Sequence, residues 1–262
     1  MPVAALTIHL MQFPTVLGQP LQTLRSVQKR LKEFRLRASD WLVFPEMWPS
    51  GFSVKGAKAL ASETATCMSW LQEFARRHRC YLSGSMLERR AGQNYNSAYL
   101  IDPRGRVALR YRKIHLFEYG NEQRSFRPGL RPVLYSSPWG KIGLAICYDL
   151  RFPELFRILS KRGAKLFLVP SAWPRERLDH FLALLKARAI ENQCYVVGVN
   201  KTGQGLHQKP VIYGGHSAVF GPWGNKLGEL GARSGILSVS LDFHELEEIR
   251  RKYPFLRSRV LA

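Results

Sequence analysis

Three polar side chains stand where apolar runs end, and together they fit one chemistry. The run Lys141-Ile-Gly-Leu-Ala-Ile-Cys147-Tyr-Asp-Leu-Arg-Phe-Pro-Glu154 carries a thiol at the end of an apolar stretch, shortly before a Pro-Glu helix start. A thiol at a strand end and ahead of a helix N-terminus is well placed to become a thiolate. Trp41-Leu-Val-Phe-Pro-Glu46 ends in a carboxylate, and Arg106-Val-Ala-Leu-Arg-Tyr-Arg-Lys113 ends in an ammonium. A cysteine that attacks an amide or nitrile carbon needs a base for its proton and a donor for the developing oxyanion. Cys147, Glu46 and Lys113 supply those types. In an open α/β sheet, residues just past the strand ends converge on one crevice, so that is the expected setting.

Competing chemistries lack their residues. The chain has no Gly-x-Ser-x-Gly elbow, no P-loop, no strand-linked Gly-x-Gly-x-x-Gly and no paired Cys-x-x-Cys. His115 and His180 raise a Cys–His pairing, but that arrangement leaves Glu46 and Lys113 without a purpose. Cys67, Cys80 and Cys194 read as packing residues.

The elements that must position these groups alternate along the chain. A first strand over 5–12 leads to a helix carrying Leu21, Leu24, Val27, Leu31 and Phe34 at helical spacing. Strand 41–45, helix 68–79 and strands 81–86, 96–101 and 106–112 come next. Strand 142–146, helix 154–162, strand 165–169, helix 177–191, strand 194–199 and a hairpin-rich end complete the order. At 262 residues and 45% hydrophobic, the chain can form one large core, and no linker, repeat or low-complexity stretch divides it. The expectation is a single α/β domain over 1–262. The N-terminus reads as a strand, with neither the length nor the charge of a signal peptide. No stretch is long enough to span a membrane as a helix. Four unpatterned cysteines fit a reducing cytoplasm.

The net charge is +21, with basic residues crowding the first helix (Arg25, Lys29, Arg30, Lys32, Arg35, Arg37) and the tail (Arg250, Arg251, Lys252, Arg257, Arg259). A solvated basic surface accounts for this, and such a surface also steers small anions. The basic residues are not interleaved with a stacking platform, so specific nucleic-acid binding is not expected.

Phe44-Pro45-Glu46, Arg112-Lys113-Ile-His-Leu-Phe117 and Cys147-Tyr-Asp-Leu-Arg-Phe-Pro-Glu154, in that order, resemble the nitrilase superfamily of carbon–nitrogen hydrolases. Ser171-Ala-Trp-Pro174, Ala187-Arg-Ala-Ile-Glu-Asn-Gln193 and Gly215-His-Ser-Ala-Val-Phe-Gly-Pro-Trp-Gly224 extend the resemblance over nearly the whole chain. It implies an α-β-β-α sandwich, a homodimer or larger assembly formed through helices near the Cys147 segment, and a reaction without metal or organic cofactor. It also implies roles: Glu46 as general base, Lys113 as oxyanion donor, Cys147 as nucleophile, and Glu122 as a second glutamate that holds base and substrate. Glu118 is the alternative to Glu122. The backbone N–H of Tyr148 is the second oxyanion donor.

Glu46-Met-Trp-Pro-Ser-Gly-Phe52, Lys113-Ile-His-Leu-Phe117 and Ser171-Ala-Trp-Pro174 are most similar to the omega-amidase branch. That likeness implies a small-molecule amide substrate, a 2-oxo acid such as 2-oxoglutaramate or 2-oxosuccinamate. Arg151, Trp173 and Arg175 are the candidates to bind the far carboxylate, although Arg151 could instead pair with Asp149 or Glu154. A deaminated glutathione amidase, or another small-amide hydrolase of the superfamily, is the alternative within this chemistry. A non-catalytic basic binding protein on the same fold is the alternative outside it.

Overall fold

The computed structural model describes residues 5–54, 56–206 and 210–260. In chain order the strands are β1 (Ala5–Gln12), β2 (Trp41–Val43), β3 (Tyr81–Arg90), β4 (Gln93–Ile101), β5 (Val107–Arg112), β6 (Leu134–Ser137) and β7 (Gly140–Leu144). They continue as β8 (Ala164–Pro170), β9 (Tyr195–Val199), β10 (Thr202–Leu206), β11 (Pro210–Gly214), β12 (Ala218–Phe220), β13 (Lys226–Glu229) and β14 (Gly235–Asp242). The helices are α1 (Pro20–Leu31), α2 (Ala57–His78), α3 (Glu122–Ser125), α4 (Pro153–Lys161), α5 (Leu178–Asn192) and α6 (Phe243–Lys252).

Two six-stranded mixed sheets form the centre, in the orders β14-β1-β2-β3-β4-β5 and β13-β12-β9-β8-β7-β6. Strands β1, β2 and β3 run parallel in the first sheet, as do β7, β8 and β9 in the second. Parallel strands are covered on both faces, so their sequences are almost continuously apolar, as in Trp41-Leu-Val43 and Tyr195-Val-Val-Gly-Val199. The inner faces interlock through Leu6, Ile8, Leu10 and Val43 on one side and Ile142, Leu144, Leu166 and Leu168 on the other. Outside the first sheet, α1 and α2 seat Leu24, Val27, Leu31, Cys67 and Leu71 against Leu42, Phe44 and Leu82. Outside the second, α4 and α5 place Phe156, Leu159, Phe181 and Leu185 in the main core. The layers are therefore α-β-β-α.

Several elements depart from the sequence reading. Helix α2 begins at Ala57, eleven residues before the predicted start, and places Cys67 inside the helix. Its buried stripe is Leu60, Thr64, Cys67, Leu71 and Ala75, mostly small or weakly apolar side chains that give little periodic signal. The polar helix α6 follows β14, capped by the Asp242 side chain, which accepts from the amides of His244 and Glu245. The basic residues of α1 and its C-terminal extension are exposed, whereas Arg250 is half-buried. Its guanidinium donates to the carbonyls of Ala164 and Gln193 and ties α6 to the end of α5.

Candidate active site

Each of the three residues lies beyond a strand end, but they come from two sheets rather than one. Glu46 lies three residues past β2 and Lys113 directly follows β5, both of the first sheet; Cys147 lies three residues past β7 of the second. The site is thus a cleft at one end of the sandwich, where the sheets meet. Cys147 opens a five-residue 3₁₀ turn that separates it from α4, which begins at Pro153.

Three turns at this cleft hold non-glycine residues in the left-handed region: Met47 (φ 46°) after Glu46, Asn121 (φ 50°) before Glu122, and Cys147 itself (φ 47°). Such conformations persist only where the surroundings over-determine them. At the Glu46 turn, Ser85 Oγ accepts from the Met47 amide at 2.8 Å, and the Glu46 amide donates to the Ser171 carbonyl at 3.3 Å. Gly84 lets this turn lie on β3, since a Cβ there would stand 2.7 Å from the Phe44 Cβ. At the Cys147 turn, the buried Asp149 accepts from the Ile146 amide (2.8 Å), Tyr111 Oη (2.7 Å) and the His115 amide (3.0 Å), and meets His115 Nδ1 at 2.7 Å. Asp149 thereby bolts the Cys147 turn to the Lys113 segment. His115 also stacks on Phe152 at 3.7 Å. It serves this clamp and is not paired with Cys147.

Lys113 is fully buried between two buried carboxylates. Its Nζ donates to Glu46 Oε1 at 2.8 Å and to Glu122 Oε2 at 2.7 Å. Asn96 of β4 completes the network, its Nδ2 donating to Glu46 Oε1 at 2.8 Å and Glu122 Oε1 at 3.1 Å. The Phe117 amide holds Glu122 Oε2 at 2.8 Å. Glu122 is the buried member of the loop, whereas Glu118 is exposed. Glu46 Oε2 is buried and receives no hydrogen bond among the described residues, and the Cys147 thiol lies beside that carboxylate.

Burial raises the Glu46 carboxyl above its ordinary range against the opposing pull of Lys113, and the Glu122 charge adds to the rise. Burial and the Glu46 charge push the Cys147 thiol well up, opposed by Lys113 and by the Ala172 amide. Lys113 stays protonated: burial works against its charge, but Glu122 and Glu46 outweigh that and hold it above its usual value. The resting arrangement is therefore a thiol within hydrogen-bonding reach of a basic carboxylate, with a charged ammonium alongside. The Tyr148 amide has no acceptor among the described residues.

Above this cluster opens a cavity of about 260 Å³, lined by Phe52, Phe117, Tyr148, Trp173 and the arginines 124, 151 and 177. Arg151 lies 4.8 Å over the Trp173 ring, with Nη2 3.2 Å from His180 Nδ1. Asp149 is engaged by Tyr111 and His115, so it is not the partner of Arg151. Trp173 is buried, and its indole N–H has no acceptor among the described residues. Arg175 does not join the cavity lining: it is exposed, its backbone packed beside Gly214 of β11. The turn past Pro174 brings Arg177 to the wall instead, 5.2 Å over the Phe117 ring. Sequence reasoning missed Asn96 and Arg177, which carry no motif, and the parts played by Ala172 and Asp149, which stood inside motifs.

A thiol, a basic carboxylate and a fixed ammonium under a small cavity are together able to support covalent acyl transfer, and they sit on an α-β-β-α sandwich. The profile of the carbon-nitrogen hydrolase family matches residues 7–251, and the chain belongs to that family. It is 34% identical over 250 residues to the 2-oxoglutaramate amidase of Bacillus subtilis (strain 168), covering 95% of each chain. It is 36% identical to a deaminated glutathione amidase of Synechocystis sp. over 233 residues, 82% of this chain and 85% of that one. The fold superposes with a TM-score of 0.90 on XC1258 from Xanthomonas campestris, a CN-hydrolase superfamily protein whose structure has an arsenic adduct in the active site. That match has 27% identity and covers 99% of both chains. The protein is a hydrolase of carbon–nitrogen bonds.

Proposed function

We propose that the protein hydrolyses the terminal amide of a small anionic 2-oxo acid, of the 2-oxoglutaramate or 2-oxosuccinamate type, to the acid and ammonia. The observation that carries this reading is the Glu46–Lys113–Glu122 cluster beside the Cys147 thiol, beneath a small cavity walled by three arginines. Glu46 takes the thiol proton as Cys147 Sγ attacks the amide carbon. The oxyanion lies between the Lys113 ammonium and the Tyr148 N–H. Collapse breaks the C–N bond, the proton passes from Glu46 to the leaving nitrogen, and ammonia departs. Water, deprotonated by Glu46, then hydrolyses the thioester and restores the thiol.

Arg151 stands in the cavity without a carboxylate within ion-pair distance among the described residues, as a receptor for a substrate carboxylate would. We place the protein in the cytoplasm, a reading supported by four unpaired thiols. We propose a homodimer, supported by exposed Ile158 and Ile190 on the helices near the Cys147 segment.

The test is ammonia release from 2-oxoglutaramate by the parent protein and by Cys147→Ala. Release by the parent alone is expected. No release by the parent sinks the substrate reading and moves the search to deaminated glutathione. Heparin or DNA binding that survives Cys147→Ala, with no amidase activity in the parent, favours a binding protein.

A further inference from the structure

A second lysine lies behind the site and takes no part in the reaction as written. Lys201 follows β9, is fully buried, and contributes nothing to the cavity lining. Its Nζ donates to the Met47 carbonyl at 3.2 Å, and it faces the rings of Tyr213 at 5.5 Å and Phe52 at 5.8 Å. No carboxylate lies within ion-pair distance among the described residues. A buried ammonium with one carbonyl and two ring faces is poorly compensated. Its retention despite that cost points to a use for its charge. Met47 is the residue directly after Glu46, held at positive φ, so Lys201 reaches the turn that carries the proposed base.

We propose that Lys201 is a positioning residue that keeps Glu46 ionised and aimed at Cys147, through its charge and its hold on the Met47 carbonyl. This rests on the reading of Glu46 as the base. The charged and titratable groups around it are Glu46 and Cys147, whose negative forms its charge favours, and the Tyr213 phenol, which burial keeps neutral. Lys113 lies 6.0 Å from the same Phe52 ring and is itself engaged by Glu46 and Glu122. Burial brings Lys201 down to about 7, against the pull of Glu46 and Cys147. The ammonium is thus present below neutrality, where Glu46 is in most danger of protonation, and is lost above it.

Alkylation of Cys147 by iodoacetamide, followed by intact mass against pH, tests this without any assumed substrate. The thiol sulfur bonds to the acetamide carbon, iodide leaves, and Glu46 takes the proton. Cys67, Cys80 and Cys194 are buried, and Cys147→Ala supplies the background. In Lys201→Met the acid limb of the rate is expected to move up by about one pH unit. Rates of the two proteins converge above pH 8, where the lysine is neutral in the parent. Lys201→Arg is expected to keep the limb at its parental place. The methionine variant removes an uncompensated charge and should melt no lower than the parent; Lys201→Gln carries the same test if it does. A superimposable limb in both neutral variants overturns the proposal. So does a rate lowered equally at every pH, which marks a structural role only. Failure of the parent to hydrolyse 2-oxoglutaramate leaves this readout unaffected.

Discussion

The side-chain amide of Asn96 holds Glu46 at 2.8 Å from a strand three elements away in sequence, and the same nitrogen reaches Glu122 at 3.1 Å. One amide therefore spaces two buried carboxylates around the Lys113 ammonium, and Ser85 fixes that amide by donating to its Oδ1 at 2.8 Å. Asn96→Asp places a third carboxyl in the same cluster, while Asn96→Ala frees Glu46 to swing. Both should lower kcat by roughly 10- to 100-fold with little change in KM, since misplacing a group at the chemistry by about 1 Å costs that much. Steady-state ammonia release measures it. A rise in KM at constant kcat would show that Asn96 serves binding instead.

Glu46 stands raised in the native state by burial, and an unfolded chain has its ordinary carboxyl. The native fold thus favours the protonated form. Stability from this group is complete below the ordinary carboxylate range and is lost as pH rises through the raised native value. At neutral pH the ionised Glu46 opposes folding. Glu46→Gln should consequently abolish turnover and raise the melting temperature at pH 7, by ~2–4 °C for each kcal/mol of relief. The gain should shrink toward pH 4. Calorimetry at both pH values checks this, and a lower Tm at pH 7 contradicts it.

Arg151 is poised over Trp173 in the cavity wall. Arg151→Met keeps the apolar stem over the indole and removes the guanidinium. KM for an anionic 2-oxo acid amide should rise by roughly 10- to 100-fold, as for the loss of one charged hydrogen bond, while that for a neutral amide of equal length barely moves. Equal changes for both would make the arginine structural.

The catalytic candidates were legible because each ends an apolar run, and strand ends are where a layered fold exposes side chains. Which sheet each strand belongs to was not legible. The closing strand β14 returns from the far end of the sequence to pair antiparallel with β1, and no local pattern announces that. The polar network was equally hidden: Asn96 and Ser85 sit in strands that alternate like any other, and only pairing of β3 with β4 brings them to Glu46. Arg177 carries no signal of its own in the sequence, and the 3₁₀ turn Arg175–Arg177 decides which of its arginines lines the cleft. Helix α6 had a readable signal, Asp242 followed three residues later by Glu245, and only its polarity masked it.

The clamp formed by Asp149 connects the two halves of the site, because the residues it grips, Tyr111 and His115, flank Lys113 while the Ile146 amide precedes Cys147. The carboxylate is wholly buried and its four contacts are shared between sheets. Removing it leaves buried donors unpaired on both sides and relaxes the left-handed turn at Cys147. Asp149→Ala should lower stability by ~3–5 kcal/mol and slow alkylation of Cys147 even where the protein remains folded. Asp149→Asn retains the shape with one acceptor oxygen, so it should fall between the two. Urea denaturation with Cys147 alkylation on the same samples separates the effects. Full stability with a slowed thiol would assign Asp149 to the geometry of the nucleophile alone, and a normal thiol rate in a weakened fold would assign it to stability alone.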